Sequence, residues 1–172
     1  MQTATSDPGS NQPSTIPFLQ TLQIIHVALG MGIIMFCCIV LYLVTNGTAT
    51  SAGADPATAR IMSWIHIGVA VSSYPMAVIA FTMTIHGVRR SIVKGGSIAT
   101  AGAKLQAAYI VRLALFEGVA IVGLIAVLLS GQAVLQEQPA YWANLVSAAA
   151  FLLFLAMTFP TRGRVEALFR AG

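Results

Sequence analysis

The stretch "YIVRLALFEGVAIVGLIAVLL", residues 109–129, decides the fold. It is apolar along almost its whole length, yet it carries Arg112 and Glu117. A bilayer core of about 30 Å is crossed by about 20 apolar residues in one helix. The stretch therefore reads as part of a membrane span covering residues 107–129. Three further stretches have the same character, at about residues 19–44, 61–86 and 141–159. Their connections, "TNGTATSAGADPAT", "GVRRSIVKGGSIATAGAK" and "SGQAVLQEQP", collect polar residues, Gly and Pro, the usual turn and breaker residues.

The expected fold is thus an all-α membrane protein, a bundle of four transmembrane helices over residues 18–160. A Ser-, Thr-, Gln- and Pro-rich tail, residues 1–17, is expected to be disordered. A basic tail, residues 161–172, follows the last span; it reads equally as a short amphipathic helix on anionic lipid or as a solvated end. Composition agrees with this class. The chain is 57% hydrophobic and 8% charged, where a soluble domain carries about 25% charged residues. Its mean hydropathy is +0.83. No Lys or Arg precedes the first apolar run, so no signal-peptide n-region is expected.

Charge sets the expected orientation. Arg89, Arg90, Lys94 and Lys104 fall in the second connection, and Arg162, Arg164 and Arg170 in the C-terminal tail. Only Arg60 borders the first connection, and the third has no basic residue. The positive-inside rule then places both termini in the cytoplasm, N-in and C-in, in a bacterial-type inner membrane. The net charge of +4 does not indicate a nucleic-acid partner, because the basic residues sit beside apolar spans without aromatic interleaving. Adjacent Cys37 and Cys38 lie within an apolar run and form no CxxC pair, so they read as small buried hydrophobes. Asn46-Gly47-Thr48 matches a glycosylation sequon and equally a plain turn.

Helices in lipid associate through close packing and hydrogen bonds, and small residues mark the contacts. Candidates are Gly30 and Gly32 in the first span and Ala114, Gly118 and Gly123 in the third. Pro75, within "SSYP", removes the amide that would bond the Val71 carbonyl, and a kink is expected there. Ser72 and Ser73 are placed to satisfy the groups so freed.

Glu117 falls near the middle of its span, where a charged group costs at least a few kcal/mol unless neutralised or paired. Arg112 lies about 140° away around the helix, so the two do not stack; Arg112 is expected to snorkel to the interface as a topology anchor. Two readings of Glu117 stand open. One is a neutral carboxyl bonded to Ser72, Ser73, Tyr74 or Ser147 on another helix. The other is an ion-binding carboxyl, with Ser72, Ser73 and Tyr74 as further candidates for that site. The stretch "RLALFEGVAIVGLIAVLL" resembles the carboxylate-bearing helix of rotary ATP synthase c subunits, the proteolipids. The resemblance implies that Glu117 is the ion-carrying carboxylate and that Gly118 lets helices approach. The preceding span has only Gly68 where that family has a glycine repeat. The helix is similar as well to uncharacterised four-span bacterial membrane proteins, which would imply no activity.

His26, His66 and His86 all lie in or at the ends of spans. Neutral imidazoles from two helices can hold a b-type haem or ligate a chlorin, and His26 and His86 come nearest in depth, differing by roughly 10 Å along the normal. Anchoring and hydrogen bonding is the simpler role, with Trp64, Tyr141 and Trp142 as interfacial neighbours. No GxSxG elbow, phosphate loop, HExxH or metal-ligand cluster is present, so catalysis by this chain alone is not expected. The function expected is a small membrane subunit that packs in a larger complex or homo-oligomer within the lipid bilayer. It would act as a scaffold with a protonatable site at Glu117. The alternatives are a proteolipid-like carrier of H⁺ or Na⁺ and a haem- or pigment-binding anchor.

Overall fold

The computed structural model describes residues 17–47, 55–95 and 98–170. The described residues form five α-helices and no strand: α1 Pro17–Thr45, α2 Pro56–Val93, α3 Ile98–Glu137, α4 Val146–Thr158 and α5 Arg162–Arg170. A 3-10 helix, Pro139–Leu145, leads into α4. Four segments are long and apolar enough to cross a membrane: Leu19–Thr45, Pro56–Ser91, Thr100–Glu137 and Pro139–Thr158. The chain has the make-up of a multi-pass membrane protein. The expected disordered tail lies outside the described residues, except for Pro17, which opens α1.

The helices alternate up and down. Gln23 of α1 donates to the Pro160 carbonyl just after α4 (3.0 Å), joining those two ends. At the other end of α1, Gly47 faces the Gln132 side chain near the end of α3. One end of the bundle therefore gathers the start of α1, the end of α2, the start of α3 and α5. It carries Arg89, Arg90, Lys94, Lys104, Arg162 and Arg164, and is called the basic end below.

The central element is α3, which packs against α1, α2, α4 and the 3-10 helix, whereas α1 and α2 barely touch each other. Leu113, Ala120, Leu124 and Val127 of α3 meet Ile33 and Val40 of α1 and Phe151 and Leu155 of α4 in one buried cluster. Apolar side chains on α1 and α2, such as Met31, Met35, Trp64 and Met83, point outward, as lipid-facing residues do. α2 meets α3 along an aromatic seam: Tyr74 lies 4.8 Å from Phe116 and Phe81 lies 5.0 Å from Tyr109, centroid to centroid.

Three features differ from the sequence expectations. The third connection is largely helical, because α3 resumes after a break at Gly131 and runs to Glu137. Gly131 has φ 66° and ψ 166°, a conformation essentially confined to glycine. Val134 and Leu135 beyond it are buried, which rewards the re-aimed turn. Next, α2 extends well past residues 61–86, with Pro75 inside it. Ser72 there donates to the carbonyls of Gly68 (2.9 Å) and Val69 (3.0 Å), not to that of Val71. The α-helical part of the fourth span has only 13 residues. That reaches about 20 Å, and the seven 3-10 residues before it add about 14 Å to complete the crossing. The basic tail is helical over Arg162–Arg170, as the first of its two readings expects of its secondary structure.

Candidate functional site

Glu117 stands at the border of an open face of α3. Ala103, Ala107, Ile110, Val111, Ala114 and Ile125 face outward. At 100° per residue these positions occupy one arc of about 100°, which also contains Gly118 and Ile121. Glu117 is half-buried about 20° from the edge of that arc. A methyl group added at Gly118 would meet nothing within 4 Å, so this glycine and Ala114 leave a shallow, unoccupied surface. Gly32 of α1 is similarly open. Gly30 and Gly123, by contrast, are used inside the chain: a Cβ at Gly30 would lie 3.5 Å from Leu155.

The hydrogen bonds expected for Glu117 are not formed. Among the described residues, no hydrogen bond or ion pair ends on its carboxyl. Tyr74 packs at a tilt against Phe116, and Ser147 donates to the Asn144 carbonyl (3.0 Å). Ser72 is turned outward and back-bonded to its own helix, and Ser73, next to it on α2, is half-buried. The reason is angular. α2 lies against the Phe116 flank of α3, and that flank is about 100° round the helix from Glu117.

Arg112 does not snorkel freely. Its guanidinium carbon lies 4.5 Å from the centroid of Phe81 on α2 and 4.6 Å from that of Phe154 on α4. Phe116 is 6.0 Å away and stacks on Phe154 at 4.3 Å. The cation is therefore held between aromatic faces inside the bundle, where their quadrupoles attract it. Its Nε is buried with no hydrogen-bond partner. Sequence periodicity correctly separated Arg112 from Glu117 but gave no sign that three phenylalanines from three helices converge on it.

At the end opposite the basic one, a polar node pins α2 to the 3-10 helix. Asn144 Nδ2 donates to Ser63 Oγ and to the Tyr141 carbonyl, both at 2.9 Å. That assigns Asn144 Oδ1 as an acceptor, so His66 Nδ1 donates to it at 2.8 Å. Gly123 makes the node possible. A Cβ there would collide with the Asn144 carbonyl and Ser147 Oγ, and would approach His66 to 3.0 Å. Asn144 was not singled out by the sequence; a lone Asn beside "YW" carries no periodic or motif signal.

The histidines do not form a shared ligand pair. His26 is buried, its Nδ1 donating to the Leu22 carbonyl (2.9 Å), and it lies beside Tyr109 and Phe159. His26 is therefore level with Tyr109, and His66 is level with Gly123. Fourteen residues of α3 separate these levels by about 21 Å. His86 faces outward, about 7 Å nearer the basic end than Phe81, the residue that meets Tyr109. The pairing of His26 with His86 is not made, since one ring points inward and the other outward. Nε2 of His26 and of His66 are each buried without a partner. No group of three or more His, Cys, Asp or Glu side chains suited to a metal occurs among the described residues. Comparison of the chain with known proteins finds no matching family model, no matching curated protein and no matching solved structure.

Proposed function

We propose that the chain is a small integral-membrane subunit that assembles through the open face of α3, with copies of itself or with other membrane subunits. Glu117 is the protonatable group at that interface. The observation behind this reading is the unpartnered Glu117 bordering a small-residue surface on the bundle's most central helix. A charged carboxylate near a span's centre costs about 2.5–3.5 kcal/mol on insertion scales. A proton, or a donor on a neighbouring subunit, removes that cost. Placing leucine at Ala114 or Gly118 should block assembly and leave the isolated chain folded. Size exclusion and native mass spectrometry in mild detergents check this; a stable monomer in every detergent tested rules the reading out.

A second reading, a proteolipid-like carrier of H⁺ or Na⁺, draws on the same unpaired carboxyl beside Gly118. Carbodiimide labelling of Glu117 that declines with rising pH, or is blocked by Na⁺, supports it. Ion flux in vesicles that is unchanged by Glu117→Gln removes it. In either case the basic end is assigned to the cytoplasm of a bacterial-type inner membrane, on the strength of its Arg and Lys residues. Cysteine-accessibility labelling at Lys94 from the outside would contradict that placement.

A further inference from the structure

At the basic end, a crevice of about 330 Å³ opens between α3, α4 and α5, lined by Tyr109, Arg112, Met157, Thr158, Arg164 and Ala167. Arg112 reaches it from the aromatic sandwich, with Nε buried and unpartnered. Arg164 reaches it from α5, where Nη1 donates to the Met157 and Phe159 carbonyls. Those bonds cap the end of α4 and hold the guanidinium at the crevice. Among the described side chains, none that lines the crevice is acidic and no carboxylate pairs with Arg112. Two cations therefore share this crevice with no counter-charge among the described side chains. They are joined there by the Tyr109 hydroxyl, while the Thr158 hydroxyl donates to the Phe154 carbonyl (2.7 Å) of its own helix. An anion with several oxygen acceptors is the complement of such a set, because guanidinium groups bind phosphate oxygens in pairs.

We propose that this crevice binds the phosphate of an anionic phospholipid headgroup, held between Arg112 and Arg164 with the Tyr109 hydroxyl as a further contact. The lipid source follows from position. Arg164 lies on the short helix just past the last span, where headgroups lie, and basic pockets between spans at that level suit anionic headgroups. The surrounding surface of α3 and α4 is apolar and can carry the acyl chains.

The test uses the full chain in mild detergent. Thermal stability and native mass spectra are recorded with phosphatidylglycerol, phosphatidylcholine or inorganic phosphate added. Phosphatidylglycerol should raise Tm and remain bound in the mass spectrum, with phosphatidylcholine at least tenfold weaker. Arg164→Gln should lose that preference, and so should Arg112→Met. Arg112→Met also removes the aromatic sandwich and can fail to fold; Arg164, on the peripheral α5, then decides alone. Arg90→Gln, an outward-facing cation outside the crevice, should keep the preference. Equal binding of both lipids, or an Arg164→Gln variant that binds as the parent does, overturns the proposal. So does protection by inorganic phosphate with none from phosphatidylglycerol, which would assign the crevice to a soluble anion.

Discussion

Replacing Gly123 by alanine adds one methyl group where, among the described glycines, there is least room for it. The ideal Cβ would fall inside the contact distance of the Asn144 carbonyl oxygen and of Ser147 Oγ, with His66 Cε1 only 3.0 Å away. The Asn144 carbonyl is backbone and cannot swing aside, so α3 and the 3-10 helix must separate. Three terms set the magnitude. Gly to Ala within a helix favours the variant by about 0.5–1 kcal/mol. Overpacking a well-filled site costs about 1–3 kcal/mol and sometimes more. Displacing Asn144 loosens its bonds to His66 and Ser63, and interhelical hydrogen bonds in membranes are worth about 0.6 kcal/mol on average, up to about 1.7. The net expectation is a destabilisation of about 2–3 kcal/mol. The assay is reversible unfolding in mixed micelles titrated with a denaturing detergent. The matched control is Gly118→Ala, for which nothing lies within 4 Å; it should be neutral or up to about 1 kcal/mol more stable. A Gly123→Ala variant as stable as the parent, or equal losses for both variants, would refute the packing argument.

Asn144→Leu removes the acceptor for His66 and the donor to Ser63; a loss of about 1–2 kcal/mol is expected in the same assay, and no loss would show that the node is not a fastener. Gly131→Ala forces a methyl-bearing residue into a glycine conformation, with a penalty of about 1–3 kcal/mol that should appear as faster proteolysis between α3 and α4. Arg112→Lys keeps the charge but loses the planar guanidinium between Phe81 and Phe154; a drop of about 1 kcal/mol is expected, and an unchanged midpoint would argue against the sandwich. Glu117→Gln should leave the unfolding midpoint of the isolated chain within about 0.5 kcal/mol of the parent, because none of the described residues bonds the carboxyl. A loss of 2 kcal/mol or more, on the order expected for a broken buried bond, would place a partner on it.

The four spans were legible in the sequence because apolar runs of span length are a direct consequence of the bilayer's thickness. Their ends were less so. The polar look of "SGQAVLQEQP" suggested a loop, but Val134 and Leu135 bury themselves once Gly131 re-aims the chain, and that depends on a backbone angle no composition reveals. Glu117 could be picked out as a costly carboxyl from the sequence, whereas its lack of a partner could not. That outcome turns on which flank of α3 receives α2. The Arg112 sandwich and the Asn144 node each join residues from helices far apart in the chain, so no local pattern carried them. Both buried histidines were visible as residues, but their separation of about 21 Å needed α3 as a ruler.

The central position of α3 bears on how such a chain is made. Spans leave the ribosome in order, and α1 and α2 barely touch each other in the finished bundle. After two spans have entered the bilayer they have almost nothing to bind but lipid. The third span is the mate both are waiting for, and the fourth then closes over it with Phe151. A nascent chain halted before residue 98 therefore lacks the helix on which both α1 and α2 pack.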